Sequence, residues 1–278
     1  MNSTLNILFI GDVVGEPALH HLCQRLPALI TEHDIECVIV NGENVWDNKG
    51  INDQEAQMLF DAGTHVITTG NHIWENWKSR PLLATNPRVI RPLNYPRENP
   101  GRGFTTVKIG EGLTVGVLQV QGRVYMQPID CPFKAADYAV QKLREQTNII
   151  FVDFHADATA EKISMGWFLD GKVSAVVGTH THVQTNDARI LPQGTAYLTD
   201  SGMTGPHNSV LGMNTDIALK RLLLQTAHKY EMAKGDYRIN GVVIGVNADS
   251  GNAESIRTIT VLCGDDEIQP APQQEPQA

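Results

Sequence analysis

Short apolar runs alternate with longer amphipathic stretches through the first half of the chain. Leu5–Ile10, Cys37–Val40 and Val66–Thr68 are mostly apolar and short, the pattern of strands buried on both faces. Each stops at a loop rich in Gly, Asn and Asp. Between the first two runs, Pro17–His33 predicts a helix with Pro17 in its first turn, where a missing N–H costs nothing. Pro27 is expected to kink or divide that helix. Asn52–Asp61 predicts a second helix, with Asn52 as its cap and Gly63 closing it. Strand–helix–strand spacing of this kind favours a parallel sheet.

The texture changes over Lys78–Arg102, which holds five prolines, six Lys/Arg and one acid, Glu98. It reads as an ordered, solvated surface loop. Gly103–Ile109 and Leu113–Val120 then predict a hairpin across Gly110-Glu111-Gly112. Further helices are expected at Lys134–Gln146, Thr159–Leu169 and Asp216–Lys229. Further strands are expected at Asn148–Phe154, Val173–Val177, Ala196–Leu198, Gly241–Val246 and Ile256–Leu262. No repeat or linker divides the chain, so residues 1–268 read as one α/β domain. The tail 269–278, rich in Pro and Gln, reads as disordered.

Composition narrows the function. Of 278 residues, 41% are hydrophobic and 19% charged, which suits a folded chain and not a disordered one. Against 22 Lys+Arg stand 31 Asp+Glu, a net charge of −9. That balance argues against extended nucleic-acid binding, which needs an electropositive footprint. A small anionic substrate stays compatible, because a bound cation can reverse the local field. Cys23, Cys37, Cys131 and Cys263 form no C-x-x-C pair, so neither a thiolate zinc site nor a dithiol redox site is signalled. The N-terminal segment shows no signal-peptide pattern and no apolar stretch reaches the length of a membrane span. A cytoplasmic protein without membrane association is the expectation, with homo-oligomerisation left open.

Five loops carry candidate chemistry, each following a strand and each ending in metal-ligating residue types. They are Gly11-Asp12, Gly42-Glu43-Asn44, Gly70-Asn71-His72, Phe154-His155-Ala156 and Gly178-Thr179-His180-Thr181-His182. Sites in open α/β sheets form outside the carboxyl ends of strands, so these loops can converge. His180 and His182, two apart, share a face in extended backbone. The set holds His, Asp, Glu and Asn but no Cys, which suits Mn, Fe or Zn. Singly, each loop also has a bland reading as a cap, a turn or a hydrogen-bonded strand edge; together and in order, they point to a metal centre.

In that order the five loops resemble the calcineurin-like metallophosphoesterases. More narrowly they resemble the YmdB-like branch, phosphodiesterases acting on cyclic nucleotides. Matching stretches include Arg91-Pro92-Leu93-Asn94-Tyr95-Pro96, His155-Ala156-Asp157-Ala158-Thr159-Ala160-Glu161-Lys162 and Gly202-Met203-Thr204-Gly205-Pro206. The resemblance implies a four-layer α/β/β/α sandwich with a two-metal centre, Fe or Mn. Asp12, Glu43, Asn44 and His182 would hold one metal. Glu43, Asn71, His155 and His180 would hold the other, with Glu43 bridging and His72 as catalytic proton donor. Asn94 and Tyr95 would line the substrate pocket. Two features depart from the wider superfamily and match the narrower branch: Asp12-Val13-Val14 lacks a usual His, and Glu43 replaces a usual bridging Asp. Glu75 and Asp157 are acid-for-acid exchanges expected to support the ligands from behind.

The implied activity is hydrolysis of small phosphodiesters, 2′,3′-cyclic nucleotides foremost, by a hydroxide held between the metals. A phosphomonoesterase, a protein phosphatase and a non-catalytic metal-binding regulator are the alternatives. A dinucleotide binder fits poorly, because Gly11-x-x-x-Gly15 is not the G-x-G-x-x-G fingerprint. His207 could face substrate or solvent, and Trp46, Trp74, Trp77 and Trp167 read mainly as packing residues.

Overall fold

The computed structural model describes residues 4–46, 49–110 and 112–264. In chain order its strands are β1 (Thr4–Ile10), β2 (Asp12–Val13), β3 (Cys37–Asn41), β4 (Val66–Thr68), β5 (Phe104–Ile109), β6 (Leu113–Gln121) and β7 (Ile149–His155). Then follow β8 (Ala175–Thr179), β9 (Arg189–Ile190), β10 (Ala196–Leu198), β11 (Met203–Pro206), β12 (Tyr237–Asn247) and β13 (Ala253–Leu262). The helices are α1 (Glu16–Glu32), α2 (Asp53–Asp61), α3 (Ser79–Thr85), α4 (Pro132–Arg144), α5 (Thr159–Leu169) and α6 (Thr215–Leu224).

The strands form two sheets. One runs β2-β11-β12-β1-β3-β4, with β13 on the other edge of β12. The other runs β5-β6-β7-β8-β10-β9. Alternation along each strand sends side chains to two different cores. In β1, Leu5, Ile7 and Phe9 face the second sheet, where Val115, Val117, Phe151 and Val177 meet them. Leu8 and Ile10 face the opposite way, onto Leu19, Leu22, Leu26 and Leu29 of α1. In β7, Ile150, Val152 and Phe154 turn outward onto α4 and α5. Helix, sheet, sheet and helix therefore stack as the four layers that the resemblance implied.

The parallel pairing expected from strand–helix–strand spacing is present in β1-β3-β4 and β6-β7-β8-β10. The sheets as wholes are mixed, because the long β12 runs antiparallel to both β1 and β13. The hairpin β5–β6 forms with Ile109 opposite Leu113, and Gly110 and Gly112 at positive φ close it. Glu111, assigned to its turn from sequence, and the tail 269–278 lie outside the described residues.

Three expectations change. Pro27 does not divide α1, which is continuous from Glu16 to Glu32. A helix-interior proline costs about 3 kcal/mol, whereas burying one leucine contributes about 1.5–3 kcal/mol, and α1 buries four of them. α6 stops at Leu224 rather than Lys229, because Gln225 turns left-handed at φ 53° and its N–H closes onto Arg221 O. The stretch 78–102 is not simply a solvated loop. It contains α3, and Ile90, Arg91 and Asn94 within it are buried.

Asn52 caps α2 as expected: its side chain accepts from Gln54 N and Glu55 N, and Glu55 returns a bond to Asn52 N. Among the described residues, no helix is long and apolar enough to cross a membrane.

The two sheets depend on the apolar layer between them. Phe9 and Phe151 meet across it with ring centroids 4.9 Å apart. Phe151→Ala should destabilise the fold by about 3–5 kcal/mol, read from urea unfolding. A loss below about 1 kcal/mol would mean that this contact does not join the sheets.

Candidate metal centre

The five candidate loops leave the carboxyl ends of β1, β3, β4, β7 and β8 and meet at one end of the sandwich. Parallel pairing brings them there, since Asn41 lies beside Thr68 and His155 beside Thr179. Asp153 joins the sheets at this end. Fully buried in β7, it accepts from Asn41 Nδ2 and Thr68 Oγ1 of the opposite sheet. Burial lifts its carboxyl to about 7, against the pull of His155 and of the Thr68 and Thr179 hydroxyls.

Two polar foci share Glu43, a carboxylate with 0% exposure. At the first focus, His155 Nε2 lies 2.9 Å from Glu43 Oε1, 3.0 Å from Asn71 Oδ1 and 3.0 Å from His180 Nδ1. One ring N–H cannot serve three acceptors, so the lone pairs here exceed the protons available. At the second focus, Asn44 Nδ2 lies 3.3 Å from Asp12 Oδ1, 3.4 Å from Glu43 Oε1 and 3.3 Å from His182 Nε2. An electropositive amide nitrogen thus stands among three acceptors. Glu43, His155 and His180 have ligand atoms within 4.8 Å of one another, close enough to share a metal ion.

The histidines are held from behind. Thr179 Oγ1 donates to Asp153, so His155 Nδ1, 2.9 Å away, is the N–H partner and Nε2 turns inward. His182 Nδ1 meets Leu211 O at 3.1 Å, which leaves its Nε2 lone pair inward. His180 Nε2 faces Asp157 at 3.9 Å, which leaves Nδ1 inward. Electrostatics follow the geometry. Burial raises Glu43, but the charge and hydrogen bond of His155 prevail and hold it at about 2. Burial lowers His155, but Glu43 prevails and lifts it to about 9. Burial and the neighbouring His155 push His180 down to about 3. Asp12 is raised by burial, against His182 and His155.

The backbone at this end is strained where the ligand atoms converge. His180 and His182 take φ 97° and 63°, a region that costs a non-glycine residue about 1–3 kcal/mol. Asp12 Oδ2 accepts from His180 N, and Asp200 Oδ2 accepts from both Thr181 N and Thr181 Oγ1. Gly70 admits no side chain, since a Cβ there would sit 2.4 Å from the His155 ring and 2.5 Å from Glu43 Oε2.

Asp12, Glu43, Asn44, Asn71, His155, His180 and His182 therefore assemble at one place. His72 joins them through its backbone N–H, which donates to Glu43 Oε2, while its Nδ1 lies 2.6 Å from Glu75 Oε1. Tyr95 sits beside them, its ring 5.1 Å from Trp74 and its hydroxyl bonded to Gln121 and Gln127. Asn94 lines a neighbouring cavity with Tyr95. It is buried, both Nδ2 hydrogens go to the carbonyls of Gln121 and Asp130, and Oδ1 accepts from Gln121 N. His207 is likewise engaged, with Nδ1 on Gly205 O and Nε2 accepting from Asn240. Trp77 and Trp167 are not packing residues, being 72% and 53% exposed. Sequence reasoning missed the supporting roles of Asp153, Lys162 and Asp200, whereas Thr179 already stood in the fifth candidate loop. Lys162, inside a stretch already singled out, was the available signal, because a lysine on a helix face that packs inward needs a buried partner.

Comparison with known proteins decides the family. Residues 8–259 match the family described as YmdB-like protein. The chain belongs to the YmdB-like family. A Bacillus subtilis (strain 168) protein named 2′,3′-cyclic-nucleotide 2′-phosphodiesterase is 41% identical over 264 residues, covering 95% of this chain and 99% of that one. A crystal structure of a hypothetical protein from Thermus thermophilus superposes with TM-score 0.87 at 37% identity, covering 94% of this chain and 100% of that one. A structure described as a novel phosphatase from Mycoplasma pneumoniae also reaches TM-score 0.87, at 29% identity and 94% and 95% coverage.

In this YmdB-like chain the buried pair Lys162–Asp200 closes the histidine loop, with Lys162 Nζ also donating to Thr179 O. Lys162→Met should cost about 3–5 kcal/mol by leaving a buried carboxylate without its counter-charge. Adding Asp200→Asn should recover part of that loss. Urea unfolding of the two single variants and the double measures the coupling, and strict additivity would refute it.

Proposed function

We propose that this chain is a metal-dependent phosphodiesterase that hydrolyses small phosphodiesters, with 2′,3′-cyclic nucleotides as its substrate class. The observation that carries the reading is the shared carboxylate: Glu43 Oε1 touches both foci, 2.9 Å from His155 Nε2 and 3.4 Å from Asn44 Nδ2. The donor set fits a metal pair: lone pairs exceed protons at the first focus, and at the second three acceptors converge on one amide nitrogen whose place a cation can take. Asp12, Glu43, Asn44 and His182 would hold one ion, and Glu43, Asn71, His155 and His180 the other. Asn44 joins by turning its amide over, so that Oδ1 faces the focus. Nitrogen and oxygen donors without thiolate suit Fe or Mn. Such a pair, when bound, draws charge from the phosphodiester oxygens and activates water.

The chain's own residues do the rest. His72 carries the proton for the departing oxygen. Glu75, 2.6 Å from Nδ1, orients the ring, leaving Nε2 for the leaving group. The His72 side chain is 34% exposed, so it can reach a bound substrate. Tyr95 and Trp74 form an aromatic wall beside it. The Bacillus subtilis relative's name supports the 2′,3′-cyclic class. A ribose hydroxyl is a poor leaving group, which is where a proton donor matters. The four cysteines are all unpaired, which accords with a reducing, cytoplasmic setting.

Elemental analysis of protein purified without chelator should find two metal ions per chain. Glu43→Gln should lower that content at both positions, whereas removing a terminal ligand should affect one. A constant stoichiometry of one after Mn or Fe reconstitution would refute the pair.

His72→Ala should keep its metals and lose roughly 10²–10⁴ in kcat on 2′,3′-cyclic AMP. The loss should shrink on bis(p-nitrophenyl) phosphate, whose leaving group needs little protonation. Equal losses on both substrates would remove His72 from the chemistry. Faster turnover of a nucleoside monophosphate or a phosphopeptide than of either cyclic AMP isomer would make the protein a phosphomonoesterase.

A further inference from the structure

A cavity of about 660 Å³ opens between the 91–104 segment and the start of α4. Arg91, Arg97, Arg102 and Lys134 line it, with Asp130 as the one acid among its lining residues. Some basic side chains elsewhere on the chain sit against carboxylates, among them Arg25 on Glu32, Lys142 on Glu145, Lys172 on Asp137 and Arg238 on Asp236. Among the described residues, none of the four cavity cations has a carboxylate within 4 Å. Four unpaired positive charges around one cavity, in a chain of net charge −9, are not a reflection of overall composition.

Arg91 makes the case sharper. It is only 4% exposed. Its Nη1 donates to Pro92 O and Leu93 O, its Nη2 reaches Asn99 O, and its Nε has no acceptor among the described residues. Carbonyl dipoles hold the guanidinium in place but do not neutralise it, and a buried cation without a counter-ion is costly. α4 adds to the same field. It starts at Pro132 with no side-chain cap, so the positive end of a 13-residue helix lies at the cavity beside Cys131 and Lys134. Phe104, Tyr95 and the half-exposed Tyr138 supply flat apolar surface in the same walls.

We propose that this cavity is a second phosphate-binding site, separate from the metal centre, that takes the phosphate of a nucleotide-sized ligand. Its volume suits a molecule of that size. The cations match a phosphate's charge, and the aromatic rings match a base. Tyr95 is the shared wall. Its ring packs on Trp74, in the same short helix (Asn71–Trp74) as His72, and its hydroxyl bonds Gln121, the strand neighbour of His155. The phosphate has two chemical sources: a 5′-phosphate on the molecule being cleaved, or a free nucleotide. Only the first rests on the phosphodiesterase reading.

The test uses the full-length, metal-loaded protein. Arg102→Gln combined with Lys134→Gln changes two exposed cations that take no part in the proposed chemistry. Calorimetric titration with inorganic phosphate and with 5′-AMP should show binding weakened by about tenfold or more in this double variant. Turnover of bis(p-nitrophenyl) phosphate, which has a single phosphate, should be unchanged. Glu43→Gln, altered only at the metal centre, should keep the titration signal. Unchanged phosphate affinity in the double variant, or loss of the signal in Glu43→Gln alone, would overturn the site. For the source, KM is compared for 2′,3′-cyclic AMP and its 5′-phosphorylated counterpart. A rise in the double variant confined to the latter assigns the cavity to the substrate's own phosphate, and equal KM changes with weakened 5′-AMP binding assign it to a free nucleotide. If wild-type protein hydrolyses neither compound, the phosphodiesterase reading fails while the titration still decides the cavity.

Discussion

A carboxylate with no solvent around it must find its partners inside the protein, and Glu43 organises the molecule on that condition. Its two oxygens meet His155 Nε2, the His72 backbone N–H and the Asn44 amide, which belong to three different loops. The loops can approach only because Gly70 gives up its side chain to the space that the His155 ring and Glu43 occupy. Burial alone would push the Glu43 carboxyl up, and the neighbouring imidazole reverses the sign. The charge at the centre of the site is therefore a product of packing two sheets face to face.

Precision at the foci comes with strain and is held by charge. His180 and His182 occupy left-handed backbone that a free chain would leave. Asp12 and Asp200 hold that turn through N–H groups, and Lys162 balances the charge of Asp200 from α5. Behind His155, the run Thr179–Asp153–Thr68 carries the support across to the other sheet. The site and the sheet interface are thus one hydrogen-bonded unit at the strand ends, with the apolar layer around Phe9 and Phe151 beneath it.

The cationic cavity shows how the same fold makes a second kind of field. At the metal centre, ligand lone pairs face inward and call for cations. Across the Tyr95–Trp74 wall, Arg91 is held by backbone carbonyls, and it and the other cavity cations have no carboxylate within ion-pair distance among the described residues, an arrangement that calls for an anion. The cavity depends on the 91–104 segment being folded back, where Asn94 ties it to Gln121 at the end of β6 and to Asp130.

Much of this was legible in order along the chain. Apolar runs marked β1, β3, β4, β7 and β8, because a strand buried on both faces has few polar positions to spare. The loops after those strands carried every residue now found at the two foci, since a parallel sheet collects its carboxyl ends on one side. Other features needed the tertiary structure. Pro27 looked like a break until the leucines around it were seen to pack, and Arg91 looked like a surface charge until its segment folded inward. Asn94's hydrogen bonds to the backbone of Gln121 and Asp130 could not be read from its neighbours in sequence. Asp153, Lys162 and Asp200 had no local pattern to mark them, because their partners lie on other elements, between 17 and 112 residues away. Residue type and spacing determined which side chains could bind and where strands would end. Which lone pairs face each other, which charges stay unpaired and which backbone is strained were decided only when the two sheets closed, because those properties belong to distances that sequence order does not contain.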